Sequence, residues 1–252
     1  MSILGENVLK RYLFKILQTL LLIIVCLISG TFLCDNASFI VSNKAYNIPV
    51  VILDAGHGGF DGGAVAVDGT VEKDINLEIS LNLEKMLKSC GYDVILTRDS
   101  DISTDDIDSS KIALRKKNDL QNRLELMNKY PNSIFVSIHL NKFTTTAARG
   151  SQVFYNGTIG ESKILGESIQ NSIKSMLQPD NTRINKQATT STYLLYNATV
   201  PAVLVECGFL SNEAELELLK TKEYQQKIAF CCMCGINDYF KNEGANNNVG
   251  KT

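Results

Sequence analysis

Five short runs, apolar at almost every position, constrain the architecture: PVVILDA at 49–55, YDVILTR at 92–98, SIFVSIHL at 133–140, SQVFYN at 151–156 and PAVLVECGF at 201–209. A strand with one face in water alternates apolar and polar residues; these runs do not, so both of their faces must be covered. The covering elements lie between them. Residues 72–90 place Ile75, Ile79, Leu83, Met86 and Leu87 at three- and four-residue steps, with Gly91 as a stop, and residues 115–130, 162–177 and 222–240 carry the same helical period. Asn212, three residues ahead of Glu215, reads as a helix N-cap with a capping-box partner. Strands alternating with helices predict a single α/β domain, with a twisted, mostly parallel sheet flanked by helices. In such sheets, ligands gather beyond the carboxyl ends of the strands.

Residues 16–33, ILQTLLLIIVCLISGTFL, carry no charge. As a helix they would extend roughly 27 Å, close to a bilayer core of about 30 Å. Lys10, Arg11 and Lys15 precede the run against Glu6 alone, so the positive-inside rule keeps 1–15 cytoplasmic and exports the rest. A cleaved signal peptide would have a shorter apolar region followed by small residues, whereas this run ends Thr31-Phe32-Leu33-Cys34; one uncleaved N-terminal transmembrane helix is the expectation. The chain then divides into a cytoplasmic 1–15, an anchor at 16–33, a linker at 34–47, a domain at 48–241 and a flexible tail at 242–252.

Net charge is −2 and no Lys/Arg run occurs, which excludes nucleic acid as a partner. Of seven cysteines, Cys26 and Cys34 belong to the apolar run or its edge. The remaining five, Cys90, Cys207, Cys231, Cys232 and Cys234, are odd in number and match no zinc ribbon. Cys231 and Cys234 are expected to share a small-residue core face of one helix.

Only two histidines exist, His57 and His139, and each directly follows a buried apolar run. Glycines surround the first, in DAGHGGFDGG, and let backbone approach a ligand closely. They do not form a dinucleotide fingerprint, because Asp61 stands where glycine is required, and no Gly-Lys-Ser/Thr follows for a phosphate loop. Two imidazoles and one carboxylate are a common set for catalytic zinc. Glu72, opening a helix, and Glu206, ending the run AVLVE, are the candidates to complete it. At a helix start a Glu is favourable for the dipole alone, whereas a carboxylate ending a buried strand costs several kcal/mol unless it is paired.

The ordered set GHGGFDGGAV, VEKDINLEISLNLEKML, GYDVILTRDSD, DLQNRLELMN, FVSIHLN and PAVLVECGFLSN covers nearly all of 50–240. It resembles the zinc-dependent N-acetylmuramoyl-L-alanine amidases of peptidoglycan. With the single anchor, the lack of a wall-binding repeat and the stretch KIALRKKNDLQNRLELMN, it is similar in particular to the germination-specific members of the spore cortex. The resemblance implies one Zn2+ ion held by His57, Glu72 and His139, with Glu206 as the catalytic glutamate. It implies hydrolysis of the amide between the D-lactoyl group of N-acetylmuramic acid and L-alanine, a step toward muramic-δ-lactam. Expected partners are glycan strands with stem peptides, the membrane through the N-terminal helix, and an accessory or activating protein. The catalytic domain would be exported and face the cortex space.

Arg98, Arg123 and Asn141 match family positions, but the two arginines read first as ion-pair partners. Asn141 and Arg183 are the candidates for substrate contact, Arg183 toward stem-peptide carboxylates. One departure from the family is the acidic insert 99–108, where Thr104 and Ser110 stand at positions that a calcium loop fills with Gly and Glu; a solvated loop is expected. The rival functions are a zinc peptidase cutting within the stem peptide, a cysteine hydrolase using Cys207, and a non-catalytic, membrane-anchored wall-binding protein. The patterns between His139 and Glu206 leave little room for an additional helix to plug the site, so control would come from expression, localisation or a partner.

Overall fold

The computed structural model describes residues 49–249. The expected anchor at 16–33 lies outside them, and among the described residues no helix is long and apolar enough to cross a membrane.

Six strands form one sheet, β1 (Val50–Ala55), β2 (Asp93–Leu96), β3 (Ser133–Asn141), β4 (Gln152–Tyr155), β5 (Lys186–Gln187) and β6 (Ala202–Phe209), in the order β2-β1-β3-β6-β4-β5. Every pairing is parallel except that of β4 with β6. The helices are α1 (Glu72–Ser89), α2 (Ile112–Asn128), α3 (Gly160–Met176), α4 (Tyr193–Asn197), α5 (Glu213–Leu219) and α6 (Lys222–Val249). The expected α/β domain with a mostly parallel, helix-flanked sheet is thus observed.

Because side chains alternate along a strand, the sheet sorts its apolar residues into two clusters. Val51, Val136 and Val205 face Ile79 and Leu83 of α1, Ile169 of α3 and Ile236 of α6. Ile52, Phe135 and Ala202 face the other way, onto Met127 of α2 and Leu195 of α4. Helices α3 and α6 meet so closely that a Cβ at Gly235 would lie 2.5 Å from Ile169 Cα, which only glycine permits.

Several local expectations are corrected. The helix expected to end at 240 runs through Val249; no proline interrupts it, and a helix already nucleated extends at one hydrogen bond per residue. Asn212 caps α5 by accepting from Glu215 N at 3.1 Å, but the reciprocal arm of a capping box is absent. The Glu215 carboxylate instead accepts from Gly150 N and Phe209 N. The cysteine face of α6 is formed by Cys231 and Cys232, with Cys234 only half-buried. Since α6 packs against both α1 and α3, its buried arc is wide enough to take two adjacent residues.

One buried polar group ties the strands to α2. Asp54 on β1 accepts from Ser137 Oγ and from Arg123 Nη1, each at 2.5 Å, and Arg123 also donates to Asp119 Oδ2 at 2.9 Å. Burial alone would raise the Asp54 pKa, yet Arg123 and Ser137 hold it down to about 2. A carboxylate depressed in this way stabilises the fold above the unfolded value of about 3.9, by about 2 kcal/mol, and loses that contribution as pH falls toward 2. Chemical denaturation at pH 6 and pH 2.5 should therefore show an acid loss that is smaller in Asp54→Asn; equal losses in both proteins would contradict this account.

Candidate active site

From β1 the sheet continues to β2 on one side and to β3 on the other, so its topological switch point lies between β1 and β3. His57 follows the carboxyl end of β1, and His139 lies near the end of β3, in register with Glu206 of β6. On the face covered by α2, an apolar row of Ile52, Phe135 and Ala202 is succeeded toward the carboxyl ends by Asp54, Ser137, His139 and Glu206. Gln152 of β4 extends that row beside Glu206. Glu72 reaches the same place from the first residue of α1.

The structure brings three of the four metal and catalytic candidates into one cluster. His139 Nδ1 is 3.0 Å and His57 Nε2 is 3.3 Å from Glu72 Oε1, and one ligand atom from each residue lies within 4.8 Å of the others. Leu140 N and Asn76 Nδ2 donate to the same carboxylate oxygen at 3.0 and 3.3 Å, and Ala64 N donates to Oε2 at 2.8 Å. The His139 ring lies across Gly56, where a Cβ would come within 2.3 Å of it. His57 has φ 64°, a left-handed conformation that costs a non-glycine residue about 1–3 kcal/mol and persists only where its surroundings hold it. Arg123 Nη2 provides one such restraint by donating to His57 O at 2.7 Å.

Arg98 acts similarly, donating to Ala55 O, Gly56 O, Ser100 O and Lys73 O. Both arginines are spent inside the glycine loop and the sheet, Arg123 as the expected ion-pair partner and Arg98 instead on four backbone carbonyls, and neither presents a free guanidinium to a substrate.

Charge is concentrated in the cluster. Burial opposes ionisation of Glu72, but His139 and His57 hold its carboxyl well below the usual range. Burial also works against a charged His57, yet Asp61 and Glu72 raise it to about 9. Glu206 shows the reverse: burial, with help from the Glu72 charge, pushes it up to about 7, partly offset by His139 and His57. Its Oε2 is buried with no hydrogen-bond partner among the described residues, and a buried polar atom left in that state marks a missing water, ion or substrate group. Two imidazoles and a carboxylate converging beside that atom fit a cation with nitrogen and oxygen preference such as Zn2+. The histidine side chains are 24% and 19% exposed, so the cluster is open to solvent on one side.

The other candidates separate. Asn141 sits where the β3–β6 register shifts; its carbonyl accepts from Leu210 N at 2.8 Å, and its side chain makes no hydrogen bond among the described residues. Arg183 donates to Arg149 O and Gln152 Oε1, each at 2.8 Å, and stacks 4.6 Å from the Phe209 ring centroid. Through Gln152 it joins the row that contains Glu206. The insert 99–108 is largely exposed, as expected of a solvated loop, but it is pinned at three points. Asp101 accepts from Gly59 N and Lys73 Nζ, Thr104 is bonded to Asp119, and Asp105 pairs with Arg115. Two of its acids, Asp101 and Asp105, have cationic partners on α1 and α2, and Asp101 ties the insert to the glycine loop.

Cys207 is fully buried, and burial pushes its thiol well above the usual range, the opposite of an activated nucleophile. Iodoacetamide treatment of the folded protein should label exposed Cys90 and leave activity unchanged. Inactivation that tracks with labelling of Cys207 would revive the thiol mechanism.

The family model for N-acetylmuramoyl-L-alanine amidase matches residues 51–238. The chain is 36% identical over 205 residues to the germination-specific N-acetylmuramoyl-L-alanine amidase of Bacillus subtilis, spanning 80% of this chain and 85% of that protein. Among solved structures, the CwlD amidase from Clostridioides difficile in complex with the GerS lipoprotein superposes with a TM-score of 0.74 at 42% identity, over 77% of this chain and 98% of that one. The N-acetylmuramoyl-L-alanine amidase AmiC2 of Nostoc punctiforme does so at 0.65 and 28% identity, over 77% and 97%.

Proposed function

Since this chain belongs to the N-acetylmuramoyl-L-alanine amidase family and is an amidase of peptidoglycan, we propose that His57, Glu72 and His139 hold one Zn2+ ion and that Glu206 is the catalytic glutamate. The observation that carries this reading is the convergence of three donor atoms within 4.8 Å of one another, beside a buried carboxyl oxygen without a partner. When bound, zinc polarises a carbonyl and acidifies water near neutral pH.

Glu206 then takes a proton from the water that attacks the lactoyl carbonyl carbon and delivers it to the nitrogen of L-alanine as the C–N bond breaks, because an amine leaves poorly unless protonated. A carboxyl displaced upward toward neutrality is suited to both transfers, and a cation beside it would draw it back down. No residue becomes acylated. Asn141 and Arg183 line the same end of the sheet as substrate contacts, Arg183 exchanging its Gln152 acceptor for a stem-peptide carboxylate.

The biological setting is proposed on narrower support. The germination-specific relative favours action in the spore cortex, where the bared muramic acid is converted by a separate deacetylation to muramic-δ-lactam. The complex of the Clostridioides difficile amidase with a lipoprotein favours an accessory protein for this chain as well. Membrane attachment through residues 16–33 would place the domain on the exported side.

A zinc peptidase of the stem peptide is the rival that uses the same residues, and the products separate the two. Digested peptidoglycan should gain N-terminal alanine and free lactoyl carboxylates without new reducing ends, since glycoside cleavage needs two carboxylates flanking a sugar ring. Release of any other amine would favour the peptidase.

A further inference from the structure

Two adjacent residues in the first half of α2 grip two adjacent residues of the glycine loop. Arg115 lies over the Phe60 ring, 4.0 Å from its centroid, and Lys116 Nζ is 2.8 Å from Asp61 Oδ1. The other oxygen of Asp61 is 2.9 Å from His57 Nδ1, and Gly63 N reaches Oδ1 at 3.3 Å. The loop is closed on itself at the same point, Gly58 N donating to Asp61 O at 2.9 Å and Asp61 N to Gly58 O at 3.0 Å. His57 is therefore restrained at both ends, its carbonyl by Arg123 and its Nδ1 by Asp61.

This geometry decides which ring nitrogen faces the cluster. A carboxylate accepts and cannot donate, so the hydrogen bond to Asp61 places a proton on Nδ1 and leaves Nε2 for the position 3.3 Å from Glu72 Oε1. Metal-binding histidines commonly depend on such an outer carboxylate to fix ring orientation and raise basicity. Here that carboxylate is itself held by a lysine from a different layer of the fold. We propose that Asp61 and Lys116 are positioning residues, a relay from α2 that orients His57 and sets how tightly the site retains its metal. Neither touches the reacting atoms. The proposal rests on the zinc reading of His57, Glu72 and His139 and extends it to the residues that would tune it.

The direct test is zinc affinity of the full chain, free of added histidines, by competition with a chromogenic chelator, together with the rate of zinc loss to excess chelator and thermal unfolding of the metal-free protein. Asp61→Ala should weaken zinc binding about 10- to 100-fold, and Asp61→Asn, which keeps an acceptor without the charge, should weaken it less. Lys116→Met acts at one remove through a half-exposed side chain and should cost about two- to fivefold. Its metal-free unfolding temperature should stay at the wild-type value, so it remains informative should Asp61→Ala fail to fold. Wild-type zinc affinity in Asp61→Asn and Lys116→Met, with the parent binding one ion, would overturn the relay and leave the zinc site standing. A parent chain that binds no zinc would remove the site itself, and the relay with it.

Discussion

His139→Ala should abolish zinc binding and amide hydrolysis together, with activity falling at least about 10³-fold, because a metal that polarises a carbonyl and supplies a nucleophile near neutral pH accounts for several kcal/mol of barrier. The chain contains only two histidines, so no neighbouring imidazole can take the vacant place. The loss should be local. Glu72 keeps the backbone donors Leu140 N and Ala64 N and the Asn76 amide, and the lost ring lies over Gly56 rather than in either apolar cluster. A near-native far-UV spectrum with zinc absent by elemental analysis is the expected combination. His57→Ala should behave alike, and its unusual φ means that the alanine inherits the same backbone strain. Full turnover by the wild-type chain in strong chelator, with metal shown to be absent, would rule out the zinc mechanism altogether.

Elements with a period were legible in the sequence, and elements without one were not. Runs buried on both faces gave every strand except β5, and three- and four-residue steps located α1, α2 and α3 to within a few residues at their ends and the start of α6, which runs nine residues past its expected end. The edge strand β5 has two residues and the helix α4 has five, too short to show any repeat. The same difference divides the site. His57, His139 and Glu206 could be found because each ends or follows an apolar run, and Glu72 because it opens a helix. The groups that aim them lie at separations with no sequence signal, such as Arg123 to Asp54, Arg98 to Gly56 O, and Lys116 to Asp61. The insert 99–108 is exposed as its composition suggests, but its anchors could not be read, because Lys73 and Arg115 lie on two different helices.

Glu206→Gln should retain zinc and lose about 10²- to 10⁴-fold in rate, roughly 3–5 kcal/mol of barrier, because it removes proton transfer while keeping shape. The substitution suits the site. A buried carboxyl raised to about 7 gives up little when replaced by a neutral amide of the same size, so the variant should fold at least as well as its parent. Glu72→Ala should fail differently. It deletes the acceptor shared by both imidazoles, leaving two basic rings 4.9 Å apart with no anion between them, and zinc affinity should fall while chemistry survives in whatever fraction remains loaded. Added zinc should therefore restore part of the activity of Glu72→Ala and none of that of Glu206→Gln. The pH dependence gives a second separation: the limb of the rate profile governed by Glu206 should vanish in the Gln variant at full metal occupancy. If zinc is lost from Glu206→Gln and kept by Glu72→Ala, the two carboxylates have exchanged roles, and the assignment of the acid/base to β6 fails.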